Sequence, residues 1–144
     1  MSSHPSSSPT VARVADRHRV DLAHLQGLVV TADLTPDAAD RYLAAHHALR
    51  ETAALALAAR SVHTPVSHAR HLWTGLAHLA PELAEWAGYL AAIQPRHDAT
   101  VRGELPIGDR EADDLVRDAQ TFLEAVGRLR IDARPPVAGG GSRR

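Results

Sequence analysis

The run RYLAAHHALR, Arg41 to Arg50, gathers the side chains best able to do chemistry in this chain: one phenol, two imidazoles and two guanidinium groups. Residues four apart share a helical face, so Tyr42, His46 and Arg50 form one line, and His47 and Glu51 form another. In a functional reading His46 transfers a proton and Arg50 clamps a phosphate, the chemistry of an RNA-cleaving or nucleotide-binding pocket. In a structural reading His46 hydrogen-bonds within a bundle, Tyr42 packs with its hydroxyl satisfied, and Arg50 and Glu51 make local ion pairs. Arg41, His46 and His47 are the catalytic candidates, and Tyr42, His46 and Arg50 the ligand-binding candidates. No nucleophile, base and oxyanion donor converge in the sequence, so no reaction can be written from it.

A second group, His63, His68, His71 and His78, has spacings of three and seven that allow a shared helical face. There is no cysteine and no HExxH run, and Pro81 separates Glu82 and Glu85 from most of these histidines. No metal and no cofactor are expected. With Arg70 the histidines read instead as a partly exposed surface that titrates between about pH 5 and 8.

The candidate residues sit in a segment that must be a buried central helix. Across Thr35 to Arg60, Thr35 is a cap, Pro36 suits a first helical position and Asp37 favours the positive end of the dipole. The alanines that follow leave so little bulk that neighbouring helices can approach closely. Thr10 to about Thr31 carries one apolar stripe through Val11, Val14, Leu22, Leu25 and Leu28 or Val29. Ser67 caps a third helix, His68 to Leu79; another, new or kinked, starts at Pro81 and stops at Pro95 or the following turn. Glu111 to about Arg130 has the strongest stripe, through Leu115, Val116, Ala119, Phe122 and Val126, and its acidic start, EADD, suits the helix dipole. Trp73 and Trp86 flank Pro81 and are expected to pack in the core there. No segment alternates as a strand must.

The run RYLAAHHALRETAALALAAR and the closing EADDLVRDAQTFLEAVGRL resemble the HEPN family, the higher eukaryote and prokaryote nucleotide-binding helical domain, across roughly residues 20–130. The resemblance rests on Tyr42, Ala45, His46, Ala48, Leu55, Leu57 and Arg60 in the second helix, and on Ala112, Leu115, Ala119, Phe122 and Val126 in the last. It implies an all-α bundle of four to five helices, a homodimer, and kinship with small stand-alone bacterial members, some of them toxin-like. Many members are metal-independent ribonucleases with an arginine and a histidine late in the domain. The final histidine here is His97, so that pair has no counterpart in the last helix. Arg41 with His46 or His47 is one of several arginine-to-histidine spacings that a chain with sixteen arginines and ten histidines produces by chance. The resemblance therefore leads to a non-catalytic binding or scaffolding module for a protein partner or a nucleotide or RNA ligand. A ribonuclease with a displaced site on helix two is the alternative.

Composition bounds the rest. One domain is expected over 10–131, between a Ser/Pro/His tail at 1–9 and a Pro/Gly/Arg tail at 132–144 that bury too little apolar surface to order themselves. Every basic residue is arginine, as in translation from a GC-rich bacterial genome, and the formal net charge is -1. Such a balance provides no general basic field, so neither charge-driven nucleic-acid binding nor sequence-specific DNA binding is expected. The N-terminus lacks the apolar segment of a secretory signal and no run is long enough to span a membrane, which points to the cytoplasm.

Overall fold

The computed structural model describes residues 9–60 and 72–132, with the side chains of 9–12, 14, 15, 18 and 130–132 excepted. Among the described residues the chain forms five α-helices and no strand: α1 (Pro9–Asp33), α2 (Ala38–Arg60), α3 (Leu72–Leu79), α4 (Ala84–Val101) and α5 (Asp109–Asp132), with a 3-10 turn at Pro81–Leu83. The fold is the all-α bundle expected. The calls on both tails, on the Ser67 cap and on His63, His68 and His71 lie outside the described residues, while Pro9 already belongs to α1.

Helix α2 is the centre. It buries Tyr42, Ala45, His46, Ala48, Leu49, Thr52, Ala53, Ala56 and Leu57, and packs against α1, α3, α4 and α5. Its alanines allow this approach from several sides, and only a narrow stripe of Asp40, His47 and Ala54, seven residues apart, faces solvent along its first four turns. Around it Leu49, Leu76, Leu90 and Phe122 are fully buried, each worth about 1.5–3 kcal/mol relative to an exposed side chain. Thr52, also fully buried, satisfies its hydroxyl by donating to the Ala48 carbonyl at 2.7 Å.

Three boundaries differ from those expected. Thr35 closes α1 rather than opening α2, since its hydroxyl donates to the Thr31 carbonyl at 2.7 Å. The cap of α2 is Asp37, whose Oδ2 accepts the Asp40 N–H at 3.0 Å, so Pro36 lies before the helix. Pro95 does not stop α4, which continues to Val101. Proline there removes the bond to the Ala91 carbonyl, but both residues face water, which can satisfy that oxygen. The stop is Gly103, at φ 70, in a Schellman arrangement: its N–H donates to the Thr100 carbonyl at 3.0 Å and the Glu104 N–H to the Ala99 carbonyl at 3.0 Å.

Pro81 separates two helices. Ala80 leaves the helical region at φ -130 and ψ 75, and Pro81 opens the 3-10 turn that leads into α4. Helices α3 and α4 thereby fold back on each other, and the Trp73 indole N–H donates to Gln94 Oε1 at 3.0 Å. Trp73 is buried beside α2, whereas Trp86 packs on Phe122 of α5 with ring centroids 4.9 Å apart. No helix among the described residues is long and apolar enough to cross a membrane.

Candidate functional site

Arg41 lies at the start of α2, where the α1–α2 connection and the first turns of α5 meet. Its Nη1 donates to the Thr35 and Pro36 carbonyls, both at 2.9 Å. Nη2 reaches Asp109 Oδ1 at 2.8 Å and Nε lies 2.9 Å from Asp113 Oδ1. Asp109 and Asp113 are four apart on α5, so both carboxylates fall on the face turned to α2, and their position at a helix N-terminus is favoured by the dipole. The hydrogen bond to Asp109, reinforced by the charge of Asp113, raises the Arg41 pKa despite burial. Nη1 and Nη2 are committed to protein hydrogen bonds, while the buried Nε makes none and meets Asp113 as an ion pair.

His46 follows one and a half turns later and faces elsewhere. It is 1% exposed, its ring stacks on His97 of α4 with centroids 3.8 Å apart, and the Trp73 ring stands edge-on at 6.4 Å. The buried Nε2 has no hydrogen-bond partner among the described residues. Burial chiefly, then the nearby charges of His97 and Arg50, lower its pKa to about 4, so the ring is neutral near pH 7. Behind the stack, His97 Nδ1 lies 3.0 Å from Asp98 Oδ1, and the Gln94 amide donates to the same carboxylate at 2.9 Å. Hydrogen bonds to His97 and Gln94 lower the Asp98 pKa.

The line Tyr42–His46–Arg50 survives as a helical face but not as a pocket. Tyr42 is buried towards α4 and α5, near Arg96 and Glu111, and burial raises the pKa of its phenol. Arg50 is half-buried and forms no ion pair among the described residues, and Glu51 likewise, so the local pairing expected of them is absent there. His47 lies on the exposed stripe of α2. Thus Arg41, buried His46 and exposed His47 do not share one cleft, although the charges of Arg50 and His47 reach His46.

Sequence reasoning overlooked Gln94, His97 and Asp98, the groups that face His46 from α4 together with Trp73 from α3. Their spacing of three and four was a readable signal, hidden by ending the helix at Pro95. At the acidic start of α5, expected to suit the helix dipole, Glu111 also pairs with Arg96, whose Nη2 donates to Oε1 at 2.7 Å. His78 is exposed on α3, Glu82 pairs with Arg60 at 2.8 Å, and no cluster of three metal-ligating side chains forms among the described residues.

Recesses open on two faces among the described residues. One, of about 830 Å3, runs between α1 and α5 over Leu22, Val29, Val116 and Leu123, with Asp33 and Glu124 on its rim. Another lies between α4 and α5 beside Tyr42 and Tyr89.

A five-helix bundle with a buried alanine-rich second helix and an amphipathic last helix is consistent with an all-α HEPN-like domain. A family model described as SAV_6107-like HEPN matches residues 32–127, about two thirds of the chain, and the protein belongs to that family. No curated protein and no solved structure matches the chain.

Proposed function

We propose that this protein is a non-catalytic HEPN module that binds a protein partner in the cytoplasm, acting as a homodimer as the HEPN resemblance implies. The observation that carries this reading is the divergence of Arg41 and His46. A phosphodiester-cleaving pair needs a free cation and a titratable imidazole at one accessible cleft. Here the cation is spent on two carboxylates and two carbonyls, and the imidazole is buried in a ring stack.

The binding surface is the α1–α5 groove rather than α2, which is covered by its neighbours. Its apolar floor suits a partner helix. Among its lining charges Asp113 is paired with Arg41 and Arg117 with Asp114, which leaves Asp33 and Glu124 without an ion pair among the described residues, a balance that favours a basic protein segment over the phosphates of a nucleotide or RNA.

The test is incubation of highly purified protein with a mixed pool of labelled RNAs in EDTA, with the His46→Ala/His47→Ala variant alongside and folding checked by circular dichroism. No cleavage by either protein is the expected result. Cleavage by the wild type that disappears in the variant would replace this reading with a metal-independent ribonuclease on α2.

A further inference from the structure

Two neighbouring recesses on the α4–α5 face share a wall. One, of about 460 Å3, is lined by Tyr42, Ile93, Arg96, Glu111 and Leu115 among others, and a second, of about 400 Å3, by Glu85 and Trp86. Tyr89 and Asp118 line both. The charges along this surface are arranged unevenly. At the inner end Arg96 is neutralised by Glu111, Asp114 is paired with Arg117, and exposed Arg110 lines the recess with no ion pair among the described residues. At the outer end Asp118 is half-buried and its one hydrogen bond comes from a neutral donor, the Tyr89 hydroxyl, at 2.5 Å. Glu85 forms no ion pair among the described residues, nor does Asp118. A carboxylate beside aromatic rings and without a counter-cation is a ready partner for a cation that arrives there.

The neighbouring aromatics select what kind of cation fits. The Trp86 and Tyr89 rings meet at 74° with centroids 6.2 Å apart, so two π-systems border the uncompensated carboxylates. Such a corner attracts an ammonium more than a small hydrated metal ion. Further in, Ile93 and Leu115 offer apolar surface to an alkyl chain. Tyr42 lines the same space at 2% exposure, and its hydroxyl has no hydrogen-bond partner among the described residues. The hydroxyl opens onto the recess, where it can donate to or accept from a group that enters.

We propose that the α4–α5 recess binds an alkylammonium group, with Asp118 and Glu85 as counter-charges, Trp86 and Tyr89 as aromatic walls, and Tyr42 as the inner polar contact. An alkylammonium of this kind is offered by a free polyamine or by the side chain of a lysine on a protein. This site is distinct from the α1–α5 groove and stands whether or not that groove takes a partner.

The test follows the Trp86 indole N–H resonance by NMR while the full chain is titrated with spermidine in one arm and with acetyl-Gly-Lys-Gly-amide in another. The acetyl-lysine version of the peptide is the neutral control. A saturable shift of the Trp86 signal, with the Trp73 indole unmoved and the neutral peptide silent, is expected from at least one amine. Spermidine alone identifies a free polyamine, the peptide alone a lysine, and both together the shared ammonium chemistry. Asp118→Asn and Glu85→Gln should each weaken binding roughly tenfold. Asparagine retains the acceptor for Tyr89, and exposed Glu85 serves should Asp118→Asn fail to fold. No saturable shift from either amine, an equal response to the neutral peptide, or undiminished binding by the folded variants would overturn the proposal.

Discussion

The imidazoles of His46 and His97 stack at 3.8 Å with their planes 21° apart, joining α2 to α4 through two side chains that both bind protons. Protonating the buried member places a cation against its stacked neighbour and away from water. Because its folded-state pKa lies near 4, below the ordinary 6.5, His46 favours the unfolded chain as acid is added. The stability held by the neutral ring is complete above about pH 6.5 and falls away as pH drops towards 4, by on the order of 2–3 kcal/mol. Thermal unfolding followed by circular dichroism from pH 7.5 to 4 should show that decline, and His46→Leu should flatten it. An unchanged slope in the variant would assign the acid sensitivity to other groups.

Arg41 should matter to folding. Removing it by Arg41→Ala leaves the Thr35 and Pro36 carbonyls without their donor and Asp109 and Asp113 facing each other without a cation. The expected loss in Tm is roughly 5 °C or more, and Asp109→Asn or Asp113→Asn should each lose less. Adding either aspartate change to Arg41→Ala should cost little further, because the three side chains act as one unit. Differential scanning calorimetry of the singles and doubles measures this; full additivity would argue against a shared cluster.

Gly103 ends α4 in the left-handed region at φ 70, where any Cβ is strained even though nothing crowds it. Gly103→Ala should destabilise by about 1 kcal/mol and Gly103→Asn by less, read from urea midpoints. Equal stability of the alanine variant would mean that the Schellman turn is not what holds this end.

Gly75 predicts the opposite sign. It lies in the middle of α3 with helical backbone, and a Cβ there would meet the Leu57 methyls at 3.5 Å, ordinary contact distance. Gly75→Ala should therefore raise stability by up to about 1 kcal/mol, through both helix propensity and a less flexible unfolded chain. A lowered urea midpoint would show that α2 and α3 lack room for a methyl group.

What the sequence determined by itself were the features set by local periodicity. The stripe from Ala112 to Val126 on α5, the alanine-rich burial of α2 and the all-helical class could all be read directly, because spacing alone decides which face of a helix turns inward. Boundaries were less legible where two local signals compete: Thr35 and Asp37 can each cap, and Pro95 can break or be tolerated. Only tertiary structure decided the partners. Nothing in the spacing of Arg41 reveals that Asp109, 68 residues later, takes its guanidinium, or that His97 covers His46. Those choices depend on the angle at which α4 and α5 return across α2, and a side chain's availability for chemistry is set by the neighbours that this return brings to it.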